Sequence, residues 1–223
     1  WTTLPEERGE FVAALYDGEL RWLDANLEIL LPWIEERLGE DTVVIVTSDH
    51  GEELGEEGRV GHEYGLPQRI IHVPMFVRGP GVEARTVDEL VDLRNLFDFI
   101  LDCADGGAPD VRKLVAQDSI GVVSERYPSR GNAGRLGLEY ARAWVSLIRD
   151  GKKAVGQPAE EVELYDLEAM GFDSEVAVSD SLLRRVLENR IESYWERHRD
   201  RRRDEDVSSE IDDAALRSLG YLH

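Results

Sequence analysis

The chain has 223 residues, of which 42% are hydrophobic and 33% are charged, and its formal net charge at pH 7 is −21. A chain of this length builds one large or two modest folded domains with a hydrophobic core. The balanced composition excludes intrinsic disorder, and the sequence contains no apolar stretch long enough for a membrane span. The strong negative charge repels nucleic acids and anionic membranes, so neither is expected as a partner.

The basic residues are almost all arginine, with lysine only at Lys113, Lys152 and Lys153. An acid-rich, lysine-poor composition is typical of proteins from a salt-adapted cytoplasm, where salt screens the repulsion between carboxylates. An ordinary acidic protein is the alternative. A cytoplasmic location is the expectation, although the chain begins with Trp1 and a lost targeting segment stays open. Cys103 is the single cysteine, which excludes a disulfide framework and indicates a core residue.

Apolar residues recur at steps of three and four over residues 5–38, which predicts a long amphipathic helix. Gly39 is a stop signal, and Pro32 interrupts the pattern. Two apolar runs follow, "TVVIVTS" at 42–48 and "VPMFVRG" at 73–79. Their β-branched composition favours buried parallel strands with both faces covered. A further helix is predicted around "LRNLFDFILDCA".

The order of predicted elements changes after "GGAPD" at 106–110, from alternating helices and strands to several short strands in succession. This change predicts a first region over 1–110 and a second over 111–223. The second region contains four short strand patterns, and Asp150-Gly151 is a typical two-residue hairpin turn. We therefore predict a small antiparallel sheet, followed by a helix over 180–198 with Leu183, Leu187, Ile191 and Trp195 on one face, and by a helical turn through "DDAALRSLGYL". The strand patterns are "SIGVVSERY", "RAWVSLIRDG", "KKAVG" and "EVELYDLE".

A candidate metal-binding site is predicted at the end of the first apolar strand, where Asp49 and His50 are neighbours in the sequence. Ligands of α/β sheets collect at the carboxyl ends of strands. A carboxylate and an imidazole are suitable ligands for a divalent cation, and Gly51 lets the backbone turn away sharply. The alternative is that Asp49 only caps a short helix through "EELGEE".

The longer string "TSDHGEELGEEGRVGHEYGLPQRIIHVPMFVRGPGV" resembles a segment of sulfatases of the alkaline phosphatase superfamily. The resemblance continues in order along the chain, from "ALYDGELRWLDANLEILLPWIEE" through "EVELYDLE" to the ending "ALRSLGYLH". It implies an α/β fold: part of an alkaline-phosphatase-like doubly wound sheet, followed by a small C-terminal subdomain with an antiparallel sheet and helices.

The resemblance also implies roles for particular residues. Asp49 and His50 would bind the divalent metal, commonly Ca²⁺, with Mg²⁺, Mn²⁺ or Zn²⁺ as alternatives. His62 would face the sulfate ester and neutralise charge or donate a proton; the alternative is a histidine that only orders its loop. Glu52 and Glu53 are expected to make backbone caps or to support the ligands. The remaining histidines receive no catalytic role: His72 is expected to be structural, and His198 and His223 lie in surface-like helix ends.

The nucleophile that the family carries in Cys/Ser-x-Pro-x-Arg, oxidised to formylglycine in sulfatases, has no match in this sequence. Two further metal-binding aspartates of the family's N-terminal half are also unmatched. We therefore expect a C-terminal portion of a sulfatase, with the N-terminal half of the same protein as its partner and no turnover by the chain alone.

The expected substrate is a sulfated small molecule or glycan. The same Asp-His-Gly loop also resembles those of relatives that act on phosphodiesters or phosphonate esters or transfer phosphoryl groups. A phosphorylated substrate and a degenerate, non-catalytic module therefore stay open as alternatives.

Overall fold

A computed structural model describes residues 6–62, 65–116, 121–126, 143–157, 162–167 and 181–198. Helices and short strands alternate in the first half, and a four-stranded antiparallel sheet with a helix follows. The predicted helical turn at the end of the chain lies outside the described residues. The division of the chain at residue 110 stays a prediction.

Helix α1 spans Glu6–Leu38, as the periodic pattern predicts, and includes Pro32. It ends where Gly39, at a φ of 88°, donates its backbone N–H to the carbonyl of Glu35 at 3.0 Å. The apolar side chains of α1 are largely exposed within the described structure; Ile29, for example, is 74% exposed. The amphipathic pattern thus predicted the helix correctly, but the described residues do not bury its apolar face.

Two glycines bring α1 against the loop that follows the first strand. A Cβ atom placed on Gly55 would lie 2.6 Å from the Cα atom of Gly9, which is closer than real side chains approach. Gly55 also has a φ of 129°, a conformation that side chains other than glycine rarely adopt. The crossing of α1 over this loop therefore depends on Gly55, whereas a side chain at Gly9 would make only ordinary contacts.

Strand β1 (Val44–Thr47) pairs with strand β4 (Met75–Arg78), and the pairing is antiparallel. The prediction of parallel strands covered on both faces is wrong for this pair. None of the strand residues is fully buried, and Phe76 is 67% exposed. The apolar composition of these two runs therefore determines neither the direction of the strands nor the burial of their faces among the described residues. The connection lacks the long crossover helix that a parallel pair requires, so the chain returns in the opposite direction.

That connection contains a small hairpin and one helical turn. Strand β2 (Glu53–Leu54) pairs antiparallel with β3 (Val60–Gly61), and a 3₁₀ turn at Glu56–Gly58 joins them. Helix α2 (Gln68–Ile71) then leads into β4. The short hairpin returns the chain towards the end of β1, which places the residues of the candidate site near one another.

Helix α3 spans Leu96–Ala104 and confirms the predicted helix at this position. A 3₁₀ turn precedes it, where the Asp92 carboxylate accepts from the backbone N–H of Arg94 at 2.9 Å. Phe99 is 1% exposed and anchors the helix. Cys103 is partly buried near the end of α3, so the expectation of a core residue is met only in part.

The predicted second sheet is confirmed by four antiparallel strands in the order β5 (Val122–Arg126), β6 (Trp144–Arg149), β7 (Lys152–Gly156) and β8 (Glu163–Asp166). Asp150 and Gly151 have φ values of 50° and 68°, which are the left-handed conformations that a two-residue hairpin turn needs. The predicted turn is therefore also confirmed.

Helix α4 (Ser181–His198) follows this sheet and contributes Ile191, 4% exposed, to its core. The side chains of Leu183, Leu187 and Trp195, predicted on the same face, lie outside the described part. The buried cluster consists of Ala143, Val145, Leu147, Ala154, Val162, Leu164 and Ile191. Among the described helices, none is both long and apolar enough to cross a bilayer.

Candidate metal-binding site

The candidate site begins where β1 ends at Thr47. The hydroxyl of Thr47 donates to the carbonyl of Pro74 at 2.9 Å, which fixes the strand end against the residue before β4. The next hydroxyl, of Ser48, donates to the carbonyl of His50 at 2.7 Å and tightens the turn that follows. These two contacts hold the start of the site loop against the two-stranded sheet.

Gly51 lets the site loop run directly against helix α2. Its backbone N–H donates to the carbonyl of Ile70 at 2.7 Å. A Cβ atom at this position would lie 1.9 Å from the carbonyl oxygen of Arg69, so no other residue fits without a backbone shift. The sharp turn expected at Gly51 is thus explained by a close approach of two backbone segments.

Glu53 and Arg69 form a buried ion pair beneath the loop. Nε and Nη2 of Arg69 donate to Oε1 of Glu53 at 3.0 and 2.6 Å, and the Glu53 side chain is fully buried. Burial raises the pKa of the Glu53 carboxyl above its ordinary value, and the Arg69 guanidinium opposes this shift. Glu53 therefore holds α2 against the site loop rather than capping a helix.

Asp49 and His50 are adjacent and exposed just after the C-terminal end of β1. Oδ2 of Asp49 lies 3.8 Å from Nε2 of His50, and the two side chains are 88% and 39% exposed. Neither side chain is buried in the interior. A carboxylate oxygen and an imidazole nitrogen at this separation fit a shared divalent cation with further ligands.

His62 lies beside His50, with 4.0 Å between the ring centroids and 33° between the ring planes. Nδ1 of His62 is 3.3 Å from Oε2 of Glu52. The hairpin causes this contact, because the pairing of Glu53 with Gly61 continues one position outward to Glu52 and His62. Donor atoms of His50, Glu52 and His62 all lie within 4.8 Å of one another.

The structure thus brings His62 and Glu52 to His50, while Asp49 lies next to His50 outside this group of three. Sequence reasoning assigned Glu52 a supporting role only. The spacing of Glu52 and His62 across a Gly-rich turn is a hairpin pattern that indicates their contact. His72 lies just before β4 in a different loop, and the side chains of His198 and His223 are outside the described residues.

A family model described as Sulfatase matches residues 6–106. Arylsulfatase K from Canis lupus familiaris is 33% identical over 118 residues, covering 52% of this chain and 22% of that protein. The chain therefore spans about a fifth of the length of this curated relative.

Two solved structures share the fold. One, a complex of a protein with its substrate D-glucosamine-2-N,6-O-disulfate, has a TM-score of 0.60 at 17% identity over 79% of this chain and 39% of its own. The other, a putative sulfatase from Bacteroides thetaiotaomicron, has a TM-score of 0.55 at 20% identity over 75% and 39%. At these identities the likeness shows the fold alone, and it confirms the predicted α/β class. The family model over residues 6–106 and the arylsulfatase relative support the assignment of this part of the chain to the sulfatases.

Proposed function

We propose that the protein containing this chain is a metal-dependent hydrolase of sulfate esters. The observation that carries the proposal is that Asp49 and His62 each lie beside His50 on an exposed loop, inside the region that matches the sulfatase family model. Carboxylate and imidazole donors at the end of a strand suit a divalent ion, and a second imidazole beside them suits the chemistry of an anionic ester.

Asp49 and His50 would hold the divalent cation, with Ca²⁺ as the proposed ion and Mg²⁺, Mn²⁺ or Zn²⁺ as alternatives. The bound ion would supply positive charge to the sulfate oxygens. His62, 44% exposed, can be reached by an ester from solvent. As an imidazolium it would neutralise developing negative charge and give a proton to the leaving alcohol oxygen when the ester bond breaks.

The nucleophile is proposed to come from a formylglycine in another part of the same protein, since the chain contains no Cys/Ser-x-Pro-x-Arg pattern. The exposed apolar face of α1, with Trp22 66% and Ile29 74% exposed, supports contact with further segments of that protein. The chain alone is therefore proposed to be inactive. A salt-adapted cytoplasm is the proposed location, supported by the net charge of −21.

A sulfated sugar or other small sulfated alcohol is the proposed substrate class. The neighbouring structure that contains D-glucosamine-2-N,6-O-disulfate supports this class through the fold that it shares. The exposed position of the site loop also leaves room for a glycan, because Asp49 and His62 face solvent.

The test compares hydrolysis of an aryl sulfate and an aryl phosphodiester by the complete protein. Asp49→Ala is expected to abolish the metal-dependent activity, and His62→Ala to lower kcat more than metal affinity. Asp88→Ala and His72→Ala, on either side of β4 and outside the site loop, are matched controls and should keep the activity. Cleavage of the phosphodiester alone would move the function to phosphoester chemistry. Wild-type turnover by Asp49→Ala, or no turnover of either ester by the unmodified protein, would contradict the proposal.

A further inference from the structure

A cluster of two imidazoles and one carboxylate forms where the hairpin returns to the end of β1. Its members are His50, Glu52 and His62, and their donor atoms lie within 4.8 Å of one another. The pair of Glu52 and His62 is 3.3 Å apart at Oε2 and Nδ1. This donor set differs from the Asp49–His50 pair of the proposed hydrolase, because it adds the imidazole of His62 and contains the carboxylate of Glu52 instead of that of Asp49.

We propose that His50, Glu52 and His62 form a three-ligand site for a borderline divalent cation of the Zn²⁺ or Co²⁺ kind. Two imidazoles and one carboxylate, with a position open to water, is a ligand set typical of Zn²⁺. Ca²⁺ instead takes six to eight oxygen ligands, which this cluster does not offer. The cluster is therefore selective for borderline ions over Ca²⁺.

The His50 ring is already oriented for binding. Its Nδ1 lies 2.8 Å from the carbonyl oxygen of Gly51 and donates its hydrogen there, which leaves Nε2 with a lone pair. That carbonyl belongs to the residue that is fixed against α2 through Ile70. The backbone contact thus sets both the tautomer and the direction of the first ligand.

The spacing of the donors is close to that of a bound ion. Donor atoms around a tetrahedral Zn²⁺ with bonds of about 2.0–2.1 Å lie about 3.3 Å apart. The Glu52 Oε2 and His62 Nδ1 atoms already have this separation, at 3.3 Å. The other donor atoms lie up to 4.8 Å apart, so side-chain rotation must bring them about 1 to 2 Å closer to one another. All three side chains are partly exposed, and Gly61 places no side chain against the Glu52 carboxylate, so this rotation has room.

Ion binding here is independent of ester hydrolysis, because none of the three ligands needs a substrate or a nucleophile to be in place. It does, however, use two residues of the proposed hydrolase. His50 would no longer be available to the Asp49–His50 pair, and His62 cannot donate a proton to an ester while its ring nitrogen binds a metal. If the proposed function holds, an ion held by Asp49 and His50 supports the hydrolysis, whereas a borderline ion at this cluster inhibits it.

The test is a Co²⁺ titration of the untagged, chelator-treated chain, followed through the visible d–d absorption and then by displacement with Zn²⁺. One Co²⁺ per chain is expected, with the intensity of a four-coordinate ion. Glu52→Gln and His62→Ala should each weaken Co²⁺ binding about tenfold or more, since the loss of even a supporting residue costs that much. In NMR spectra of histidine side chains, Zn²⁺ should shift His50 and His62 but not His72.

Controls separate the cluster from general cation binding and from the hydrolase. His72→Ala and Glu83→Gln remove the same residue types elsewhere and should change the Co²⁺ affinity less than about threefold. Asp49→Asn should leave Co²⁺ binding equally intact, although it abolishes the proposed hydrolysis. Circular dichroism without metal confirms that each variant is folded. Failure to bind Co²⁺, or binding that survives both Glu52→Gln and His62→Ala, would overturn the site and leave the sulfatase proposal untouched.

Discussion

Glu53 and Arg69 connect the site loop to helix α2 through a buried ion pair, with Nη2 of Arg69 only 2.6 Å from Oε1 of Glu53. Glu53 is fully buried, whereas the Arg69 side chain is 26% exposed. Among the described residues, Oε2 of Glu53 has no hydrogen-bond partner, so Arg69 supplies the positive charge that stabilises this carboxylate. The pair lies directly after Glu52 and under Gly51, and its loss would release the backbone that orients the site.

Removal of Arg69 should lower the free energy of unfolding much more than neutralisation of Glu53 does. Arg69→Met leaves a buried carboxylate without its partner and is expected to lower the free energy of unfolding by about 3 kcal/mol. Glu53→Gln keeps an acceptor for Arg69 and should cost about 1 kcal/mol. Urea denaturation of both single variants and of the double variant measures the coupling energy between Glu53 and Arg69. The double variant should lose less free energy of unfolding than the two single variants lose together.

A surface pair provides the control for this cycle. Arg78 contacts Glu35 at 3.3 Å, and both side chains are well exposed. Arg78→Met should change the free energy of unfolding by no more than about 1 kcal/mol. Equal effects of Arg69→Met and Arg78→Met would show that the Glu53–Arg69 pair is not buried in solution.

The raised pKa of Glu53 predicts that stability falls with increasing pH. Burial is the main cause of the shift from the ordinary value of 4.5. Between 4.5 and the folded-state pKa the native chain keeps a proton that the unfolded chain has released, so this carboxyl lowers the free energy of unfolding as the pH rises. Above the folded-state pKa the loss is complete.

The comparison of the chain with its Glu53→Gln variant isolates this contribution. Urea midpoints measured from pH 4.5 upwards in the presence of a chelator should fall more for the unmodified chain than for the variant. The difference between the two proteins should reach a plateau at neutral pH. A difference that stays constant with pH, or that changes in the opposite direction, would contradict the raised pKa.

The sequence was most informative where a local pattern determines the local structure. The three- and four-residue steps predicted α1, and Asp150-Gly151 predicted the hairpin between β6 and β7, because each signal acts within a few residues. The direction of β1 relative to β4 was wrong, because strand pairing depends on the connection and not on the composition of either strand.

The candidate site was predictable only in part for the same reason. Asp49 and His50 are neighbours in sequence, so their proximity at a strand end follows directly from the pattern. The contact of Glu52 with His62 depends on hairpin register, and the burial of Glu53 depends on Arg69, sixteen residues away. A long-range partner of this kind has no local signal that separates it from an ordinary surface arginine.

The acidic composition predicts that salt stabilises the chain. With a net charge of −21, repulsion between carboxylates disfavours the compact state at low ionic strength. Raising KCl from about 0.1 M to about 1 M shortens the screening length from about 10 Å to about 3 Å and should raise the Tm. A variant with Asp17→Asn, Asp24→Asn and Glu28→Gln, all on exposed positions of α1, should show a smaller rise. A Tm that does not change with KCl, or an equal rise in the variant, would contradict charge repulsion as the cause.

Two glycine substitutions should have opposite effects on stability. Gly51→Ala places a Cβ atom 1.9 Å from the carbonyl oxygen of Arg69, and the backbone of the site loop must move away from α2. We expect a loss of about 2 kcal/mol or more in the free energy of unfolding, together with weaker Co²⁺ binding because the carbonyl that orients His50 is displaced. Gly18 lies inside α1, and apart from the helix backbone itself none of the described residues has an atom within 4 Å of an added Cβ atom. Gly18→Ala should therefore stabilise the chain by about 0.5–1 kcal/mol and leave Co²⁺ binding unchanged, because a helical alanine loses less backbone entropy than glycine. Urea denaturation and Co²⁺ titration of both variants check these effects, and a Gly51→Ala variant as stable as the unmodified chain would show that the loop does not press against α2.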